Sequence, residues 1–202
     1  HLEMEMNLLS INLPLTRKRL VGHPWIKEAE VRRELPDTLF LCITEQEALA
    51  VLDLGQKFIM NTDGEIFKRW SFSDPRDLPL VTGLKYYDLK SEDDPGSIRL
   101  ASVMEVLQLG GKNGCVLPCR MIRRIEVDQQ IGLTLYAFKS ETSIRLGFNE
   151  YNSKLTGLKK VLSHLRTRDS SIDFRAIDLV NPSRIVVFPK KAEATADHQK
   201  EA

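Results

Sequence analysis

Residues His23–Trp70 read HPWIKEAEVRRELPDTLFLCITEQEALAVLDLGQKFIMNTDGEIFKRW. Two strand-like runs, Ile26–Leu35 and Thr38–Leu52, lie on either side of Pro36-Asp37, a pair that turns the chain. In the first run Ala29 falls out of phase with Ile26, which predicts a β-bulge. In the second, Leu39, Leu41 and Ile43 recur at every other residue, the period of a half-buried strand. Ala48–Leu52 continues the sheet. Lys57–Asn61 and Glu65–Phe67 flank Asp63-Gly64, whose glycine tolerates the positive φ of a hairpin turn. No side chain in the stretch is poised for chemistry, so it reads as a small module that holds partners.

Upstream, Asn7–Pro14 alternates apolar and polar and predicts a strand. Thr16 is placed to cap a short helix, Arg17–Val21, stopped by Gly22 and Pro24. Trp25 then packs as an anchor. The sum is a small α+β domain with its helices on one face of a sheet.

Downstream, the polar segment Ser71–Asp77 reads as a joint, and Leu78–Leu84 opens a second unit. Ser91–Gly96 reads as a solvated loop. Leu100, Val103, Met104 and Leu107 recur at helical spacing within Ile98–Leu109, and Gly110-Gly111 ends that helix. Ile122–Val127, Ile131–Phe138 and Ser143–Phe148 predict an antiparallel meander. A helix over Asn152–Leu165 puts Leu155, Leu158, Val161, Leu162 and Leu165 on one face. Two last strands, Ile172–Leu179 and Arg184–Phe188, are joined by Asn181-Pro182-Ser183-Arg184, a sequence suited to a type I turn. From Lys190 onward the chain is polar and charged and is expected to be disordered.

Lysine and arginine number 29 against 28 acidic residues, a net charge of +1 that leaves no electrostatic footprint for nucleic acid. No run approaches the ~18 apolar residues that span a bilayer, and no signal-peptide pattern is visible. Residues 1–3, ahead of Met4, read as appended by cloning, and the chain as an excised soluble part of a longer protein.

Chemistry finds little support. The histidines are His1, His23, His164 and His198, none beside a nucleophile in a recognisable pattern. Gly110-Gly111 follows a helix rather than opening one, so it is no phosphate loop. Asp93-Asp94 reads as a solvated turn. Cys42, Cys115 and Cys119 give an odd count, and the spacing of the last two is not that of a zinc knuckle. They read as small hydrophobes or as a facultative pair. The reading is therefore of a protein that is not an enzyme and takes no cofactor or metal. An enzyme or metal protein using Cys115, Cys119 and His164 is a rival that a zinc assay separates.

Arg120, Arg123 and Arg124 form a basic cluster, suited either to an acidic partner face or to a solvated strand face with local ion pairs. The last strand is apolar on both sides, with Ile185 and Val187 on one and Val186 and Phe188 on the other. Such an edge is an aggregation hazard unless something covers it. A partner strand pairing with its backbone resolves this, and so does burial by other parts of the same chain.

Several blocks carry a resemblance. HPWIKEAEVRRELPDTL, ITEQEALAVL, NTDGEIF and LPLVTGL occur in that order, followed by IGLTLYAF, SIRLGFNEYNSKL and IDFRAIDLVNPSRIVVF. Together they span most of Asn7–Pro189 and resemble the POTRA and β domains of the FtsQ/DivIB bacterial cell-division family. The resemblance implies an α+β fold, a small POTRA domain at 4–77 and a mostly antiparallel β domain with flanking helices at 78–189. It also implies a single-pass inner-membrane protein with this region in the periplasm, concentrated at the division septum. In this family the last strands of the β domain bind the periplasmic part of FtsB, within a complex that contains FtsL, and the POTRA domain meets other divisome proteins. Carried onto this chain, the docking edge is Ile177, Asp178 and Leu179 with Arg184, Ile185, Val186, Val187 and Phe188, joined by Arg123 and Arg124. Val180 and Asn181 stand where the family usually has arginine and an aromatic residue, so contacts through those side chains are altered while backbone pairing survives. The implied role is a non-catalytic scaffold that regulates septal peptidoglycan synthesis. A POTRA-type chaperone or transport accessory is the alternative, which a single POTRA copy beside a distinct β domain disfavours.

Overall fold

The computed structural model describes residues 10–89, 95–112, 115, 117–138, 140–168 and 174–190. The chain separates into two compact units, dividing after Leu78.

In the first unit the helix α1, Leu13–Val21, begins earlier than expected. Asn12, not Thr16, caps it, with Asn12 Oδ1 accepting from the Leu15 amide at 3.0 Å. Pro14 lies in the first helical turn rather than at a strand end. Proline is tolerated there because the amides of that turn have no helical partner anyway. Of the strand predicted over Asn7–Pro14, residues 7–9 lie outside the described residues.

β1 (Ile26–Glu34) and β2 (Thr38–Glu45) pair antiparallel, with the expected irregularity between Ile26 and Glu28. Helix α1 packs on β1, where Ala29 is buried and its carbonyl accepts from Arg17 Nε at 2.9 Å. The period of β2 is as read, but its burial is not. Leu41 and Ile43 are 42% and 44% exposed, because among the described residues α1 lies mainly over β1.

β3 (Ala48–Asp53), β4 (Lys57–Asn61) and β5 (Ile66–Arg69) form an antiparallel meander around Ala50, Val51, Leu52, Ile59 and Met60. Asn61 builds the β4–β5 turn. Its buried carboxamide oxygen accepts from the amides of Asp63 and Glu65 at 3.0 and 2.8 Å, and its nitrogen donates to Gln46. Beyond β5, the buried Asp74 pairs with Lys68 and accepts from the amide and the hydroxyl of Ser71, each at 2.8 Å. Burial works against its charge, but Lys68 and Ser71 outweigh that and hold the carboxyl below the usual aspartate range.

In the second unit β6 (Leu80–Thr82) runs parallel to β7 (Ile122–Asp128). β7, β8 (Gly132–Ala137) and β9 (Thr142–Gly147) are the predicted meander. The helix α3, Tyr151–Arg168, returns the chain so that β10 (Phe174–Asp178) lies parallel to β9, and β11 (Val186–Pro189) pairs back on β10. The order is β11-β10-β9-β8-β7-β6. Ile125, Leu135, Ile144 and Ile177 share the buried face with Val103, Val106 and Leu107 of α2 (Pro95–Gly111) and Leu158 of α3. The expected helix end at Gly110-Gly111 falls inside α2, which runs through both glycines.

Lys154 is the unforeseen member of this core. It is buried, and Nζ donates to the carbonyls of Leu146 and Phe148 at 2.7 Å each. Burial pushes its ammonium below the ordinary lysine value, against a weaker pull from Glu150. The two bonds tie α3 to the end of β9.

Two outcomes follow from these buried polar groups. Lys154→Met strands two carbonyls and lowers unfolding stability by about 1–3 kcal/mol in urea titrations, whereas the same change at the exposed Lys160 alters it little. Asp74, with a depressed folded value, stabilises the fold above its ordinary value of 3.8 and loses that contribution as pH falls through the folded value. Asp74→Asn therefore destabilises at about pH 7, and the difference from the parent shrinks at about pH 3.

Candidate functional site

The C-terminal hairpin is fixed from both ends. Asp178 Oδ1 accepts from the Val180 amide at 3.0 Å, and Asn181 Oδ1 from the Ser183 amide at 2.9 Å. The Arg184 amide donates to the Asn181 carbonyl at 3.1 Å, closing the Asn181–Arg184 turn. Leu179 is buried, and its amide reaches the Arg145 carbonyl at 2.8 Å, extending the parallel ladder beyond β10. The last strand starts at Val186, not at Arg184. Arg184 and Ile185 belong to the connection, and Ile185 Cδ1 lies over Gly157 of α3, 3.1 Å from where a Cβ would stand.

Register places the side chains. Asp178 pairs with Val186, Ile177 with Val187 and Ala176 with Phe188. Val187 is thus on the face of the buried Ile177, and Val186 and Phe188 are on the other. Phe188 is 49% exposed. β11 ends the sheet, and among the described residues no strand pairs with its outer edge. The edge is short and closes on Pro189, which donates no backbone hydrogen.

Following the pairings across the sheet gives two rows on the open face. One runs Leu80, Arg124, Tyr136, Ser143, Ala176, Phe188. The next runs Thr82, Glu126, Thr134, Arg145, Asp178, Val186. Arg124 and Phe188 therefore share a face and a row, four strand spacings apart, or roughly 19 Å. The Arg124 guanidinium lies 4.0 Å from the centre of the Tyr136 ring, whose hydroxyl donates to Glu126 at 2.8 Å. That bond first, and burial second, push the Tyr136 phenol up. Arg123 is exposed beside the irregularity in β7, and Arg120 is exposed ahead of it.

A hollow of about 260 Å³ lies at the β9–β10–β11 end, lined by Arg145, Arg175, Ala176, Ile177, Asp178 and Phe188. Arg145 and Arg175 carry no signal in the sequence that marks them for this site. Arg145 is legible as outward-facing, because it alternates with the buried Ile144 and Leu146. Its place opposite Asp178 is not, since that needs the parallel register. Val180 contacts Gly147, whose missing Cβ would stand 3.3 Å from a Val180 methyl, and is 47% exposed.

His23 and His164 are exposed, and the Cys115 and Cys119 thiols donate to backbone carbonyls. No cluster of three or more metal-ligating side chains occurs among the described residues. The arrangement offers backbone donors and acceptors, an apolar shelf and flanking arginines, the equipment of a docking surface.

Residues 1–46 match the model of the POTRA domain, FtsQ-type, and residues 48–179 match that of the cell division protein FtsQ/DivIB, C-terminal. The chain belongs to the FtsQ/DivIB family of cell division proteins. It is 30% identical over 182 residues to the cell division protein FtsQ of Geotalea daltonii, covering 89% of this chain and 64% of that one. FtsQ of Syntrophotalea carbinolica is 29% identical over 90% of this chain and 63% of its own. FtsQ of an Anaeromyxobacter species is 35% identical over 79% of this chain and 53% of its own. The chain thus spans less than two thirds of these relatives. The family models divide near residue 47, whereas the compact units divide after Leu78, and β11 lies beyond the matched stretch. No helix among the described residues is long and apolar enough to cross a membrane.

Removing the Asp178 carboxylate should loosen the hairpin without unfolding the unit. In Asp178→Ala the Val180 amide exchanges faster with solvent, and stability falls by about 1 kcal/mol. Amide hydrogen exchange read by NMR checks both.

Proposed function

We propose that this FtsQ-family chain is a non-catalytic divisome scaffold whose β11 edge receives a strand of FtsB, within a complex that includes FtsL. It links early and late division proteins and so regulates septal peptidoglycan synthesis. Residues 4–77 serve as the POTRA domain toward upstream division proteins, and 78–189 as the partner-binding β domain. The full-length protein is a single-pass protein of the inner membrane, with this region in the periplasm at the septum.

The observation that carries this reading is the outer edge of β11, which pairs with no strand among the described residues and lies beside an apolar shelf of Val186 and Phe188. An added strand satisfies the edge amides and carbonyls whatever the side chains opposite, so the pairing tolerates Val180 and Asn181 in place of arginine and an aromatic. Side chains of that strand on the open face lie against Phe188 and the neighbouring hollow. Beyond the strand, a partner segment lying across the face meets Arg145 and then Arg124, both suited to carboxylates.

Successive amides along a strand point to opposite sides, so of Val186 and Val187 one faces β10 and the other faces the vacant edge. Proline at the outward position should weaken binding of an FtsB periplasmic peptide at least about tenfold while leaving thermal stability nearly unchanged, a loss of about 1.4 kcal/mol in binding. Proline at the inward position should cost stability as well. Calorimetric titration of both variants tests this, and undiminished affinity in the two together rules strand addition out.

A further inference from the structure

Two of the three cysteines have no part in the docking edge, yet they share one neighbour. Cys115 Sγ donates to the Gly110 carbonyl at 3.0 Å, and Cys119 Sγ donates to the Leu107 carbonyl at 3.0 Å. Leu107 and Gly110 are one turn apart on α2, so their carbonyls lie along one stripe of the helix. Gly110 makes room for the Cys119 sulfur. A Cβ there would stand 2.9 Å from Cys119 Sγ and 3.0 Å from the Leu117 carbonyl, too close for any side chain. One sulfur therefore rests on the glycine's carbonyl and the other over its bare Cα. Both thiols are half-buried, whereas Cys42 is exposed in the other unit.

We propose that Cys115 and Cys119 are a dithiol–disulfide pair, oxidised by a disulfide-bearing oxidant, that clips the connection from α2 to β7. The Cys115 thiolate attacks one sulfur of the oxidant's disulfide, forming a mixed disulfide and releasing one oxidant thiolate. Cys119 then loses its proton to solvent and attacks the Cys115 sulfur. The internal disulfide forms and the second oxidant thiolate leaves. The two protein thiols give up two protons and two electrons, and the oxidant's disulfide takes both electrons to become two thiols. Oxidation breaks two thiol–carbonyl hydrogen bonds, and thiols are weak donors. Burial first, and the adjacent Cys115 second, push the Cys119 thiol up, in keeping with its acting second. β7 starts at Ile122, directly after the turn that contains Cys119, so the clip fixes where the strand bearing Arg123 and Arg124 begins.

This inference does not depend on the docking reading, and its test uses the chain alone. Reduced protein is equilibrated in glutathione buffers of rising oxidised share, quenched with N-ethylmaleimide, digested and read by mass spectrometry. Cys115 and Cys119 should lose alkylation together in one transition, as a linked pair, while Cys42 titrates separately. The linked pair should form at severalfold less oxidised glutathione in native buffer than in urea, because the fold holds the sulfurs together. In Cys115→Ser, Cys119 should carry only glutathione. Independent alkylation of the two cysteines, or a pair that forms as readily in urea as in native buffer, overturns the proposal.

Discussion

Three residue pairs hold β10 against β9, Ala176 with Ser143, Ile177 with Ile144 and Asp178 with Arg145. The candidate site depends on this short parallel ladder. A two-stranded hairpin is marginal by itself in water, so β10 and β11 stand only because β10 is joined to a wider sheet. The Leu179 amide adds one more bond, to the Arg145 carbonyl, and the buried Ile177 fastens the inner face. Parallel pairing needs a long return connection, which α3 supplies. Lys154 anchors that helix to the carbonyls at the end of β9, where β9 and α3 meet.

Among the described residues, the same arrangement leaves one edge unpaired and one face open. On the inner side Ile185 rests on Gly157, which lets the hairpin approach α3 closely. On the outer side Phe188 and Val186 are only partly covered; the charges of Asp178 and Arg145 lie on the next two strands, and those of Arg124 and Glu126 farther along the same face. Natural edges are blunted by brevity, by proline and by charge. β11 has the first two, with Pro189 at its end, and Lys190 follows. These features guard it against indiscriminate pairing while leaving the outward backbone groups of the proposed docking edge in place.

Reading by pattern works where periodicity and turn chemistry agree. The bulge in β1, the hairpin at Asn61–Gly64, the meander β7–β8–β9 and the turn at Asn181–Arg184 are all visible in residue types. It fails where one residue allows two local structures. Pro14 fits the end of a strand, but proline also suits the first turn of a helix, and Asn12 decides the matter. Pattern also places the start of the last strand two residues early, because Ile185 continues the apolar run while the Arg184 amide is consumed by the turn hydrogen bond and the Ile185 side chain lies over Gly157. The meeting of Cys115 and Cys119 with one turn of α2, at Gly110 and Leu107, has no signal beyond their spacing.

Residue order alone determined the family, the class of fold and the two-sided apolar character of Val186–Phe188, because all three are written in local patterns and in the order of blocks. Only the tertiary structure decided that this run lies at the rim of the sheet, and that Arg124 shares a face with Phe188. Alternation states which side chains point the same way along one strand. It says nothing of which strand lies next, since that is settled by long-range pairing and by the burial of a common core.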